Sequence, residues 1–168
     1  MPTVGVAVAI PEPWATRLQD YRLSIGDETA AKIPTHVTLV PPTEHADPVV
    51  LGAHLAGVAR RHQPFTLHLR GTGTFRPVSP VVFVGVVQGI SNCERLASDV
   101  RSGPLQQELE FPYHPHVTIA HHLPDDVLDR AFSELADFDC QFRVREFHLY
   151  VHTDDVGWQV TDSYPLGE

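Results

Sequence analysis

Pro34-Thr35-His36-Val37-Thr38-Leu39 and His114-Pro115-His116-Val117-Thr118-Ile119 are the two stretches that organise this chain. Each reads His-Val-Thr followed by an aliphatic residue. In a strand, side chains at i and i+2 point to one face. His36 and Thr38 therefore share one face while Val37 and Leu39 take the other, and His116 and Thr118 oppose Val117 and Ile119 in the same way. Each stretch is half core anchor and half polar surface. The two histidines stand 80 residues apart.

The sequence around each stretch repeats the same order of elements. Val4 to Ile10 is a β-rich run ended by Pro11, and Pro13 opens a helix with Trp14, Leu18 and Tyr21 at i, i+4 and i+7. The strand Val37–Val40 is expected to stop at Pro41-Pro42. Asp47-Pro48 reads as an N-cap followed by proline at N1, with Leu51, Leu55 and Val58 as the apolar stripe behind it. Phe65, Leu67 and Leu69 then alternate with Thr66, His68 and Arg70, and Gly71 and Gly73 punctuate the run. The order begins again with the strand Val81–Val87. Ser91-x-x-Glu94 reads as a capping box for a helix carrying Leu96 and Val100, which Gly103-Pro104 ends. The second motif strand follows. Pro124-Asp125-Asp126 opens a helix with Leu128, Ala131, Phe132 and Leu135 on one face. A long strand is expected over Phe142–Thr153, a turn at Asp154–Gly157 and a last strand over Trp158–Tyr164. Phe142 and Val144 are out of phase with Phe147, Leu149 and Val151, so a bulge near Arg145-Glu146 or a change of buried face is required. The pattern predicts an α+β fold, one domain over residues 1–168 with two pseudo-symmetric lobes. Two largely antiparallel sheets would face a central cleft, with helices outside.

The chain has 168 residues, 42% apolar and 20% charged, an ordinary balance for a single globular domain. No run approaches the roughly 18 apolar residues of a membrane span. Met1-Pro2-Thr3-Val4 has no basic region leading into an apolar segment, so neither a membrane nor a secretory route is expected, and the cytoplasm is. Cys93 and Cys140 lie 47 positions apart, without metal-like spacing, and read as idle thiols in a reducing compartment. A net charge of −9 argues against a broad grip on a nucleic-acid polymer or an extended duplex. It leaves room for a nucleotide, a short RNA or another small phosphate ester. No Gly-x-Gly-x-x-Gly or P-loop pattern occurs, so neither a dinucleotide cofactor nor ATP-driven chemistry is expected.

The paired residues suit proton transfer at a phosphodiester. Its cleavage needs one group to take a proton from the attacking oxygen and another to give one to the leaving oxygen. Two imidazoles on opposite sides of the phosphorus can do both, provided one is neutral and the other protonated. Two threonine hydroxyls can bond the non-bridging oxygens. The scheme requires no metal and no cofactor. His114, His116, His121 and His122 cluster in sequence, yet a zinc site wants three or four converging ligands and the motif strand face offers two.

On these residues the chain resembles the 2H phosphoesterase superfamily, whose pattern is two His-x-Thr/Ser-aliphatic motifs in a pseudo-symmetric bilobal fold. That superfamily includes 2′-5′ RNA ligase-like proteins and 2′,3′-cyclic nucleotide phosphodiesterases. The resemblance implies that His36 and His116 are the catalytic pair and that Thr38 and Thr118 hold the phosphate. In the ligase-like branch an arginine often stands five positions after the second histidine, where this chain has His121. The first motif there often continues Phe-Leu-Gly, where this chain has Pro41-Pro42-Thr43. These departures favour a smaller substrate. The implied activity is metal-independent opening of 2′,3′-cyclic phosphates of nucleotides or RNA ends to 2′-phosphates. Reversible 2′-5′ RNA ligation and a non-catalytic phosphate- or nucleotide-binding module are the alternatives, and a monomer is expected.

Further residues are candidates for substrate contact. His121 reaches the site only if strict strand alternation has ended. Tyr113 precedes the second motif and could border the cleft. Tyr150, between His148 and His152, could stack on a base, and Arg70 could pair with a phosphate if those strand faces line the groove. Arg76 and Phe83 flank the crossing between the lobes, Phe83 reading as core.

Overall fold

The two motif strands lie side by side at the centre of one sheet, and the rest of the chain is arranged around that junction. The computed structural model describes residues 2–45 and 47–167; Met1, Ala46 and Glu168 lie outside it. Eight strands and four α-helices follow in the order β1 (Thr3–Ala9), α1 (Trp14–Ser24), β2 (His36–Glu44), α2 (Pro48–Arg60), β3 (Phe65–Thr74), β4 (Val81–Gln88), α3 (Ile90–Val100), β5 (His116–His121), α4 (Asp125–Glu134), β6 (Asp139–Val144), β7 (Glu146–Thr153) and β8 (Gly157–Pro165). The strands are ordered β6-β3-β4-β5-β2-β1-β7-β8, and each described pairing is antiparallel. The two expected sheets are two four-stranded halves of this one sheet. They meet at a single pair, Val37 opposite Val117. Both valines are fully buried.

The repeat read from the sequence is present, with an exchange. β3 leaves the half of β1 and β2, and β7 leaves the half of β4, β5 and β6, so each completes the other half. β3 pairs with β4, and β7 pairs with β1. This exchange explains the phase break after Val144. β6 pairs with β3 and β7 pairs with β1, so the expected single strand over Phe142–Thr153 is two strands in different halves. The chain crosses between them at Arg145, and each strand keeps its own alternation without a bulge inside a continuous strand.

Two further local expectations are corrected. Pro41-Pro42 do not end β2, which runs on to Glu44. Val4 pairs with Thr43 and Val6 with Val40, so the prolines lie in a register shift opposite Gly5, where a missing N–H costs no ladder bond. The α3 helix begins at Ile90 behind Gly89, whose φ of 95° suits glycine, and no side chain caps it. Ser91 is therefore inside the helix and not at its N-cap. Asp47 does cap α2, accepting from the backbone N–H groups of Val49 and Val50 at 3.0 and 3.1 Å.

The helices cover the outer face. α1 packs on β5 and α3 on β2, so the first helix of each repeat covers the motif strand of the other half. Val37, Leu39, Val117 and Ile119 point into this core with Leu18 and Leu96, all fully buried. Burying each such side chain stabilises the fold by about 1.5–3 kcal/mol, which anchors the opposite strand face as a rigid support for His36 and His116. Among the described residues no helix is long and apolar enough to cross a membrane.

Candidate active site

Each motif histidine is held by the same local bond. His36 Nδ1 lies 2.6 Å from the Pro34 carbonyl oxygen, and His116 Nδ1 lies 2.6 Å from the His114 carbonyl oxygen. A carbonyl only accepts, so each ring donates from Nδ1–H. In the neutral ring this leaves Nε2 as the unprotonated nitrogen, free to take a proton. Both rings and both threonines line one cleft of about 160 Å³. The Thr38 and Thr118 hydroxyls have no protein hydrogen-bond partner among the described residues. Two nitrogens and two hydroxyls, one of each from either half, thus face a shared space.

Both imidazoles are pulled below the ordinary histidine pKa. Burial is the main cause for His36; its carbonyl bond opposes this and the Arg22 guanidinium adds to it. Burial also dominates for His116, opposed by its carbonyl bond and reinforced by neighbouring His114 and by His36 across the cleft. The free site is thereby biased to two neutral imidazoles.

His121 reaches the cleft through a backbone irregularity. In β5, Val82 pairs with Ala120 and Phe83 with Thr118, leaving Ile119 without a partner of its own. This extra residue moves the alternation by one, so Ile119 and Ala120 are both buried and His121 returns to the face of Thr118. The backbone then turns away at His122, whose φ is 55° and whose N–H bonds the Pro80 carbonyl at 3.1 Å. β2 carries the matching irregularity, with Val6 opposite Val40 and Ala7 opposite Thr38, so that Leu39 is the extra residue.

The space beyond the cleft differs on its two sides. Beside His36 is an apolar pocket of about 180 Å³ lined by Tyr150 and Trp158. The Tyr150 ring centre is 6.3 Å from that of His36, and burial pushes the phenol up to about 12. Beside His116 is a wider apolar pocket of about 660 Å³, lined by Phe75, Phe111 and Tyr113. The Phe75 and Phe83 ring centres stand 4.9 and 5.3 Å from that of His116. A Cβ on Gly73 would come within 2.6 Å of the Phe83 ring, so this glycine makes the room that lets Phe83 back the histidine. Tyr113 spans the two halves, its hydroxyl donating to the Thr38 carbonyl at 2.7 Å.

The structure therefore gathers His36, Thr38, His116, Thr118 and His121 at the cleft, with Tyr150 and Tyr113 at its sides. It does not bring Arg70 or Arg76 there. β3 bends at Gly71, where φ is 71°, and Arg70 lies opposite Asp139 of the edge strand, 3.8 Å from its carboxylate. Arg76 bonds Thr74 Oγ1 and pairs with Asp129 of α4 at 2.9 Å. Among the described residues no group of three or more His, Cys, Asp or Glu side chains converges as a metal site.

A family model for the 2′-5′ RNA ligase superfamily matches residues 10–156. The chain belongs to that superfamily. A relative from Bacillus cytotoxicus, provisionally named a phosphoesterase, is 31% identical over 148 residues, 84% of each chain. Among solved structures, a protein of Thermus thermophilus aligns with a TM-score of 0.70 at 23% identity, over all of both chains. LigT of E. coli in its apo form aligns with a TM-score of 0.68 at 23% identity, over 100% of this chain and 99% of LigT. These likenesses show the fold, and the resemblance read from the two motifs is borne out as superfamily membership.

One residue of this superfamily member escaped the sequence reading. Arg22, near the C-terminal end of α1, lines the cleft with both histidines. It sits four positions after Leu18 on the buried side of the helix. An arginine on an apolar stripe is a signal, although only the fold shows what it faces.

Proposed function

We propose that this chain opens 2′,3′-cyclic phosphates of nucleotides or RNA ends to 2′-phosphates by two-histidine acid–base catalysis. The observation that carries the reading is the pair of Nδ1–carbonyl bonds. They prepare two free Nε2 atoms at one cleft that also holds two unbonded threonine hydroxyls. One imidazole takes a proton from water as its oxygen bonds phosphorus. The other gives a proton to the ribose O3′ as the P–O3′ bond breaks. The threonines donate to the non-bridging oxygens as charge gathers there. Burial and the Arg22 charge beside it disfavour the protonated form of His36, which suits it as the base. His116, lowered in the empty cleft by burial and by its histidine neighbours, serves as the acid once a phosphate anion beside it favours its protonated form. Attack by a ribose hydroxyl in place of water would join two ends, and the superfamily's description favours keeping this reversible 2′-5′ ligation as the second reading.

A nucleotide or short RNA suits the surroundings. Tyr150 and Trp158 offer rings for a base next to His36. LigT of E. coli has been crystallised with 3′-AMP and with ATP. The chain acts as one domain and as a monomer in the cytoplasm; its two buried, unpaired cysteines accord with a reducing compartment. The test is a panel of 2′,3′-cyclic nucleotides and 2′-5′ dinucleotides assayed with a metal chelator, products resolved by phosphorus NMR. A 2′-phosphate formed in chelator supports the reading. No turnover of any cyclic phosphate, or turnover that survives alanine at both His36 and His116, sinks it.

A further inference from the structure

The cleft holds one permanent cation whose bonding is incomplete. Arg22 is buried, its side chain 6% exposed, and it is fixed on two edges. Nε lies 3.3 Å from Asp27 Oδ2, and Nη1 donates to the Ile33 carbonyl at 3.0 Å and to Thr35 Oγ1 at 3.3 Å. Asp27 is itself fixed, accepting from the Thr29 N–H at 3.1 Å and the Thr29 hydroxyl at 2.5 Å. Nη2 of Arg22 has no hydrogen-bond partner among the described residues. It is also not sealed from solvent, since Arg101 Nε is the one buried side-chain atom left unpaired among them. The open space that Arg22 lines is the cleft of His36, Thr38, His116 and Thr118.

We propose that Arg22 is a phosphate-binding residue of this cleft, its Nη2 group donating to a non-bridging oxygen. The assignment rests on the reading that the cleft takes a phosphate. Three features argue for it. A guanidinium held by Asp27, Ile33 and Thr35 is already oriented, so it loses little freedom when an anion arrives. Among the described residues lining the cleft and its two apolar neighbours, Arg22 is the only lysine or arginine. In a chain of net charge −9, an anion entering that space needs a local positive group, and both histidines are biased to neutrality. The backbone segment from Ile33 to Thr35 leads directly into the first motif. Arg22 thus ties the phosphate position to the carbonyl of Pro34 that orients His36.

The experiment compares the parent with Arg22→Gln, Arg22→Lys and Asp27→Asn, each checked for folding by circular dichroism and thermal melting. Competitive inhibition by inorganic phosphate and the kinetics of 2′,3′-cyclic nucleotide opening are the readouts. Arg22→Gln is expected to weaken phosphate at least tenfold and to raise KM. Arg22→Lys keeps a charge but loses the fork, and is expected to fall between the two. Asp27→Asn leaves the guanidinium without its counter-charge, so phosphate should bind as well as in the parent or tighter. A folded Arg22→Gln protein that binds phosphate within twofold of the parent overturns the proposal. If Arg22→Gln does not fold, Asp27→Asn decides. A tenfold loss of phosphate affinity there marks the pair as scaffold and overturns the proposal, whereas unchanged or tighter binding supports it. A parent that neither opens cyclic phosphates nor binds phosphate defeats the phosphoesterase reading itself. A parent that does both, with variants that match it, defeats only the role of Arg22.

Discussion

The His36 half and the His116 half use one backbone device twice and then furnish it differently. In both, Nδ1 donates to the carbonyl two residues earlier, and an extra strand residue three positions after the histidine resets the alternation. What surrounds the rings is unlike. His36 has Tyr150, Trp158 and Arg22 for neighbours. His116 stands against Phe75, Phe83 and His114. Five residues after His36 the chain has Pro41, which makes no side-chain hydrogen bond; five after His116 it has His121. The shared backbone presents two matched imidazoles, while the unmatched side chains give the cleft a direction. A symmetric cleft would accept a phosphodiester either way round.

The largest expected effect tests the shared device. Alanine at His36 or at His116 should each lower kcat by roughly 10²–10⁴-fold, as removal of a general acid or base does. The same pair sharpens the asymmetry. A cyclic substrate with sulfur in place of O3′ has a leaving group that needs little protonation. It should restore much of the rate of His116→Ala and little of that of His36→Ala; rescue of His36→Ala instead would reverse the two roles.

Valine at Thr38 or Thr118 should cost on the order of 10²-fold in kcat, the scale of one lost donor to a developing oxyanion. Equal losses fit a phosphate held centrally between the halves. A loss confined to one threonine would show that the phosphate sits within one half.

The flanking pockets should differ in what they recognise. Tyr150→Ala is expected to raise KM for a cyclic mononucleotide by roughly 5- to 150-fold, the worth of a stacked base at about 1–3 kcal/mol. Phe75→Ala should leave KM for the mononucleotide nearly unchanged if the base lies beside His36. The opposite result from steady-state kinetics would move the base to the His116 side.

The smallest effect is on stability. The pKa values of His36 and His116 are lowered in the folded chain from 6.5. Below pH 6.5 the unfolded chain therefore binds more protons than the native one. Their contribution is present above that pH and is lost as pH falls through it, by up to about 1.4 kcal/mol per pH unit for each group. Urea titrations from pH 7.5 to 5 should show this decline, and His36→Asn should flatten it. An unchanged slope in that variant would show that His36 is not held neutral in the native state.

Much of this arrangement was legible from local pattern. The alternation in His36-Val37-Thr38-Leu39 and its copy predicts the polar and buried faces correctly, because strand geometry needs only neighbouring residues. Asp47-Pro48 marks the start of α2 for the same reason. Ser91 misled because the left-handed Gly89 begins α3 two positions earlier. The phase break near Arg145 was visible in the sequence, yet its cause was the passage of the chain from one half to the other. Arg70 misled because a strand face does not reveal the acids that other elements bring to it, and Arg76, at the crossing beyond β3, because only the fold brings Asp129 of α4 to it. Arg22 was missed because its partners Asp27, Ile33 and Thr35 arrive by a turn of the chain.

By itself the sequence determined the two motif strands, the order of elements as far as α4, the α+β class and the identity of the paired histidines and threonines. Each depends on periodicity or on residue type within a few positions. The tertiary structure decided that the halves join at Val37 and Val117, that β3 and β7 change sides, and that Ile119 turns His121 into the cleft. It also decided which arginine lines the cleft. Strand register, charge neutralisation and the sharing of one cleft are set by groups far apart in the chain, whose distances only folding fixes.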